Sequence, residues 1–271
     1  MTHITLIITT YNRPDALAAV LEGCLAQTDA DFDVIVADDG SGAETADLIA
    51  AYKMRAPFSV KHVWQEDAGF RAAAIRNRAV AASAADYIIF IDGDCVPPAE
   101  FISSHRLLAE RGWFLSGNRM MLTPAFTGQV LSEKLPIHQW RTRDWLEARW
   151  QGRIERLLPL LRLPDWAWMR KQMPRRWLGA KTCNLSAWRE DLLAVNGLDE
   201  SYTGWGLEDS DLVVRLIRAG VKSKSARFSV PVFHLWHREN DRSNLEINRQ
   251  RLQQVLRATH TRAVQGMDQY V

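Results

Sequence analysis

Cysteine is scarce in this 271-residue chain: Cys24, Cys95 and Cys183 stand far apart, with no Cys-x-x-Cys pair. That spacing indicates neither a disulfide framework nor a cysteine zinc site. Long apolar runs are missing too, so no segment reads as a membrane-spanning helix. The opening Met1-Thr2-His3-Ile4 lacks the basic-then-apolar pattern of a secretory signal. The expectation is a cytoplasmic protein, or one held to the cytoplasmic face of the inner membrane only at its surface. Net charge is small, +2, which gives no global attraction to nucleic acid. Glycine-rich phosphate loops are absent. Nothing of the form Gly-x-Gly-x-x-Gly follows the first strand, and Gly179-Ala180-Lys181-Thr182 has the wrong spacing for a P-loop and reads as a turn into the segment beyond it. No repeat or low-complexity tract occurs. What is present is a 47% apolar composition, enough for a large core in one domain with or without an insertion.

The first third alternates strand and helix. Ile4 to Thr10 reads as a strand, Pro14 opens a helix to about Gln27, and Phe32 to Ala37 is the next strand. A helix over Glu44 to Met54, a strand over Val60 to Trp64, a helix over Arg71 to Ala82 and a strand over Tyr87 to Asp92 follow. Such alternation predicts an α/β fold with a mainly parallel sheet covered by helices on both faces. A helix around Ala99 to Glu110 and a strand at Trp113 to Gly117 end the pattern, and the tail from Asn244 to Arg262 reads as a covering helix.

Chemistry-bearing residues gather at the predicted strand ends. Asp92-Gly93-Asp94 could clamp a divalent ion carrying phosphates, or be an ordinary Asp-Gly turn. Asp38-Asp39-Gly40-Ser41 ends the second strand, where a carboxylate can accept from a base N–H or a ribose hydroxyl. Thr10, Tyr11 and Arg13 follow the first strand, Tyr11 offering a stacking ring and Arg13 a phosphate partner. In an open α/β sheet these ends share one crevice. Arg71, Arg76 and Asn77 in the alanine-rich helix could reach the nucleotide and hold the Asp92 loop, or form a solvated face. Further on, Gly204-Trp205-Gly206-Leu207-Glu208-Asp209 places a ring beside two acids entering a helix. Capping accounts for part of this; a carboxylate near a stacking ring also suits a general base for a sugar hydroxyl. Asp209 is the candidate base, with Trp205 and Glu208 orienting the acceptor. His234 and His237 could supply a metal ligand beside Asp94; His237 is favoured, leaving His234 as an interior hydrogen-bond partner.

The middle of the chain departs from this regularity. From Lys134 to Arg176 eleven Lys and Arg face four Asp and Glu, a local excess of +7, and Trp140, Trp145, Trp150, Trp166 and Trp168 lie among them. Amphipathic helices broken by Pro136, Pro159, Pro164 and Pro174 are expected. Arginine beside tryptophan suits an anionic membrane surface, and equally a lid over an anionic acceptor, or packing of the rings on the core.

Taken together, Thr9-Thr10-Tyr11-Asn12-Arg13, Asp38-Asp39-Gly40-Ser41, Asp92-Gly93-Asp94 and the Gly204 to Asp211 stretch resemble family 2 glycosyltransferases with a galactosyltransferase-like carboxyl-terminal segment. The run Gly69 to Asn77 is similar to one in bacterial chondroitin-polymerase catalytic domains. The resemblance covers roughly residues 1–118 and 179–240, leaves the basic insertion aside, and implies a GT-A fold; residues 1–271 are read as a single domain, with a nucleotide-sugar half at 1–118, a basic helical insertion at 126–178 and an acceptor and metal half at 179–271. It implies inverting transfer from a nucleotide-sugar donor to a saccharide or lipid-linked glycan acceptor, using Mn²⁺ or Mg²⁺. With a UDP-linked donor expected, Asp39 would contact uracil, Asp92 the ribose or metal, and Asp94 and His237 the metal. Asp209 would be the base. A noncatalytic lipid- or saccharide-binding module and a sugar nucleotidyltransferase are the competing readings.

Overall fold

The computed structural model describes residues 2–162, 166–239 and 241–271; the predicted break at Pro164 and the Asp165 charge fall outside them. The amino-terminal third follows the sequence pattern closely. It runs β1 (Ile4–Thr10), α1 (Pro14–Leu25), β2 (Phe32–Asp38), α2 (Ala43–Arg55), β3 (Val60–Trp64), α3 (Ala72–Ala81) and β4 (Tyr87–Asp92). Side chains alternate across these strands. Ile4, Leu6 and Ile8 of β1 with Tyr87, Ile89 and Ile91 of β4 pack in one core with Leu17 and Leu21 of α1. Ile7, Ile88 and Phe90 enter a second core on the opposite face with Ile75 and Val80 of α3. A strand buried on both faces needs a near-continuous apolar run, which is why these segments were legible.

After a two-residue strand β5 (Cys95–Val96) come α4 (Phe101–Leu108), β6 (Trp113–Ser116) and β7 (Asn118–Met121). Residues 184–188, read from sequence as following a turn, form β8 (Asn184–Trp188), which pairs antiparallel with β4 and β6. It leads to α8 (Arg189–Ala194), α9 (Glu208–Arg218), β9 (Lys222–Ser225), β10 (Pro231–His234) and the tail helix α10 (Leu245–Arg257) once the insertion helices named below are passed. The large sheet has the order β3-β2-β1-β4-β8-β6-β9, with four of its six pairings parallel. A second sheet has the order β5-β10-β7, its β5 and β7 following β4 and β6 of the first in the chain.

The insertion is more broken than predicted. It holds α5 (Pro124–Ser132), α6 (Thr142–Trp150) and α7 (Ala167–Arg170), with single 3₁₀ turns at Ile137–Gln139 and Leu158–Leu160. Its tryptophans divide. Trp140 and Trp145 join Phe126 and Phe233 in a chain of ring contacts, 5.4, 4.8 and 4.4 Å between successive centroids, which seats the insertion on β10. Trp150, Trp166 and Trp168 instead remain 88%, 54% and 65% exposed. No helix among the described residues is long and apolar enough to cross a membrane.

Candidate active site

Parallel register brings the carboxyl ends of β2, β1 and β4 side by side: Thr10 pairs with Asp38, and Thr9 with Asp92. A cleft of about 480 Å³ opens there, where an open α/β sheet binds its ligands. Thr10, Tyr11, Arg13, Asp39, Arg76, Asp92, Asp94, Trp205, Glu208, Asp209 and His237 all line it. Arg71 does not. Its side chain turns to the Glu66 carbonyl, while its backbone N–H donates to Asp39 Oδ2 at 2.7 Å.

The two adjacent aspartates at the end of β2 have separate surroundings. Asp38 is fully buried and accepts from Ser41 N at 2.8 Å, with His62 Nε2 at 2.9 Å from its other oxygen. Burial opposes its charge, but these partners outweigh it and hold the carboxyl below its usual range. Asp39 faces the cleft, with Oδ1 accepting from Gln65 Nε2 at 2.5 Å; burial wins there and raises it. Gly40 between them and Ser41 has φ +101°, open to glycine and costly for other residues.

At the end of β4 the Asp92-Gly93-Asp94 turn lies against β1. Gly93 N donates to the Thr9 carbonyl at 2.7 Å, and a Cβ on Gly93 would stand 2.9 Å from Thr10 Oγ1. Only glycine allows that approach, so the two carboxylates are held against the sheet edge. Arg76 then bridges the turn to the opposite wall. Its guanidinium, 4% exposed, donates to Asp92 Oδ1 at 2.9 Å, Glu208 Oε1 at 3.0 Å and Thr9 Oγ1 at 3.0 Å. Asn77, predicted to help hold this loop, is turned away: it is buried and clamps Leu198 and Glu200 in the approach to α9.

Glu208, expected to orient the acceptor, is thereby paired with Arg76 and buried. Its neighbour Asp209 has Oδ1 bonded to Ser210 N at 2.7 Å, and no described residue hydrogen-bonds its second oxygen. Burial, then the Glu208 carboxylate, push the Asp209 carboxyl up to about 7, against the pull of Arg76. The helix reaches this position through Gly204, Gly206 and Leu207 at φ +72°, +103° and +80°. Leucine in the left-handed region is strained, and here the strain falls on the residue that launches Glu208 and Asp209 into the cleft.

The small sheet completes the site. His234 in β10 pairs with Cys95 in β5, directly after Asp94. Asp94, His234 and His237 present ligand atoms within 4.8 Å of one another, and Asp92, Asp94 and Cys95 form an overlapping cluster. His237 Nδ1 lies 2.7 Å from the Arg238 carbonyl, to which it donates, leaving Nε2 as a lone pair 3.4 Å from Asp94 Oδ2. His234 is not the hydrogen-bond partner expected of it. Nε2 stops 3.7 Å from Asp94 Oδ1, Nδ1 is buried without a partner, and burial depresses the charged form. One carboxylate and two imidazoles make a fitting donor set for a divalent ion.

Arg119, Lys181, Thr182, Cys183 and Arg238 also line the cleft and were not picked out from sequence. Lys181 to Cys183 arrive through β8, and Arg119 through a pairing 113 residues distant in sequence, Arg119 with Val232.

A seven-stranded sheet with helices on both faces and a cleft holding paired aspartates at its carboxyl edge is the GT-A architecture. The model of "Glycosyl transferase family 2" matches residues 5–154, and that of "N-terminal domain of galactosyltransferase" matches 169–238. The chain belongs to glycosyl transferase family 2. It is 32% identical over 237 residues to validoxylamine A glucosyltransferase of Streptomyces hygroscopicus, covering 83% of this chain and 54% of that protein. It is 25% identical over 243 residues to the chondroitin synthase of Escherichia coli, covering 82% and 33%. The chain thus spans about half of the first relative and a third of the second. A mannosyltransferase of Pyrobaculum calidifontis, solved with GDP-Man and Mn²⁺, superposes with a TM-score of 0.62 at 16% identity over 94% of this chain and 64% of that one.

Proposed function

We propose that this glycosyltransferase moves a hexosyl or N-acetylhexosaminyl group, with inversion, from a nucleoside diphosphate carrier, UDP by preference, to a hydroxyl of a bacterial envelope saccharide or lipid-linked glycan. One observation carries the reading: Arg76 ties the Asp92-Gly93-Asp94 turn to the start of α9, so the metal-ligand cluster and a carboxyl of raised pKa share one cleft. Asp39 and Tyr11 take the base, and Thr10 and Asp92 the ribose; that all four line the cleft supports this. Asp209 takes the acceptor hydroxyl proton as that oxygen bonds to the anomeric carbon and the carbon–oxygen bond to the diphosphate breaks. Trp205, stacked with the Arg242 guanidinium 4.9 Å from its centroid, offers a ring to the acceptor sugar. Asp94 and His237, with His234, would hold Mn²⁺ or Mg²⁺, which supplies positive charge for the departing diphosphate; the two imidazoles favour Mn²⁺. A calorimetric screen of UDP-, CDP-, GDP- and dTDP-sugars with Mn²⁺ tests this. Saturable binding that vanishes in Asp94→Ala is expected. Folded, metal-supplied protein that binds none of them would leave the binding-module reading standing.

The exposed rings of Trp150, Trp166 and Trp168 beside arginines favour contact with an anionic membrane surface, consistent with a lipid-linked acceptor at the cytoplasmic face of the inner membrane. Membrane contact and donor binding use different residues and are independent of one another.

A further inference from the structure

The arginines around the cleft differ in what already occupies them. Arg76 is taken up by Asp92, Glu208 and Thr9, Arg13 by the Asp15 carboxylate at 2.9 Å, and Arg71 by the Glu66 carbonyl. Arg238 is exposed and, among the described residues, without such an occupant, whereas Arg119, in β7, is half-buried. Among the described residues no carboxylate lies within ion-pair distance of it, and its hydrogen-bond contact is the Cys183 sulfur at 3.9 Å. A thiol is a weak acceptor, so the guanidinium fork is left with its donors facing the cleft it lines.

Its position is set by register. Arg119 pairs with Val232, two residues before His234 on the same strand, and His234 pairs with Cys95. Paired residues, and residues two apart, project to the same face of a sheet. Arg119, His234 and Cys95 therefore share the face that borders Asp94. A half-buried guanidinium beside a cation-binding cluster, without an acidic partner of its own, suits an anion that arrives together with the metal. A planar fork matches phosphate oxygens two at a time.

We propose that Arg119 binds the diphosphate of the nucleotide-sugar donor and remains on it as the sugar departs; this assignment rests on the donor reading above. When the bond between the anomeric carbon and the phosphate oxygen breaks, its electron pair stays on that oxygen. A fixed cation beside it meets the growing charge without reorganising.

The test is calorimetry on wild type, Arg119→Gln and Arg119→Lys with Mn²⁺, titrating UDP, CDP, GDP and dTDP, each against its own nucleoside. For the diphosphate that wild type prefers, Arg119→Gln is expected to weaken binding roughly 10- to 100-fold, the worth of a charged hydrogen bond, while the nucleoside changes less than about 2-fold. Arg119→Lys, which keeps charge but loses the fork, should show a smaller loss in the same order, and it carries the test if the glutamine variant fails to fold. Undiminished diphosphate binding in the variants, or equal losses for diphosphate and nucleoside, would overturn the assignment alone. Wild type that binds no nucleoside diphosphate would overturn the donor reading and this assignment with it.

Discussion

Asp209 can act as a base only while ionised, and its carboxyl is raised to about 7 by burial and by Glu208. Below that pH the proton already occupies the site. We therefore expect kcat/KM for sugar transfer to climb with pH and reach half its plateau near about 7. Asp209→Asn should lower kcat by roughly 10²- to 10⁴-fold and abolish that acidic limb; a variant with an unchanged pH profile would remove Asp209 from the reaction. Arg76 plays a different part. Because it neutralises Asp92 and Glu208 at once from a buried position, Arg76→Met leaves two carboxylates uncompensated. A loss of about 3–5 kcal/mol in urea unfolding is expected, against little change if the network were only superficial.

At the scale of elements, turns rather than strands decide what enters the cleft. Gly40 carries φ +101°, and a Cβ there would lie 2.6 Å from the Asp67 backbone. Gly40→Ala should destabilise the fold by about 1–3 kcal/mol, read as a lowered Tm, and weaken nucleoside binding because Asp39 is displaced with the turn. The helices α3 and α9 show why sequence periodicity alone could not assign roles. Arg76 and Asn77 are adjacent on α3, yet one reaches the cleft floor and the other the Leu198 carbonyl. Both look equally polar in sequence; only the packing of α9 against the sheet separates them.

On the scale of the whole molecule, the insertion is partly core and partly surface. Trp140 and Trp145 brace Phe233, next to His234, and so support the strand that carries His234. Arg170, which its composition would place at a membrane, is buried and donates to the Ser225 and Arg227 carbonyls at 3.2 and 3.0 Å. Exposed groups carry the membrane prediction instead. Replacing Trp150, Trp166 and Trp168 by Ala, or Arg143 and Arg149 by Gln, should reduce sedimentation with anionic vesicles, the arginine effect fading in high salt. Nucleotide binding should be untouched by either set. Equal partitioning of wild type and variants would dispose of the membrane contact.

Alternating strand and helix over residues 4–92, the acidic turns ending β2 and β4, and the glycine-bracketed Trp205 were legible because each depends on local chemistry: apolar runs long enough to be buried twice, and turns that only glycine permits. The antiparallel β8 and the short strands β5, β7 and β10 were not, since two to five residues carry no periodicity. Tertiary structure alone decided that Asp38 is buried in the fold while Asp39 faces the cleft, that Glu208 answers to Arg76, and that Arg119 stands beside His234. In each case the deciding quantity is a distance between residues far apart in the chain, which the amino-acid order encodes only through the packing of the whole.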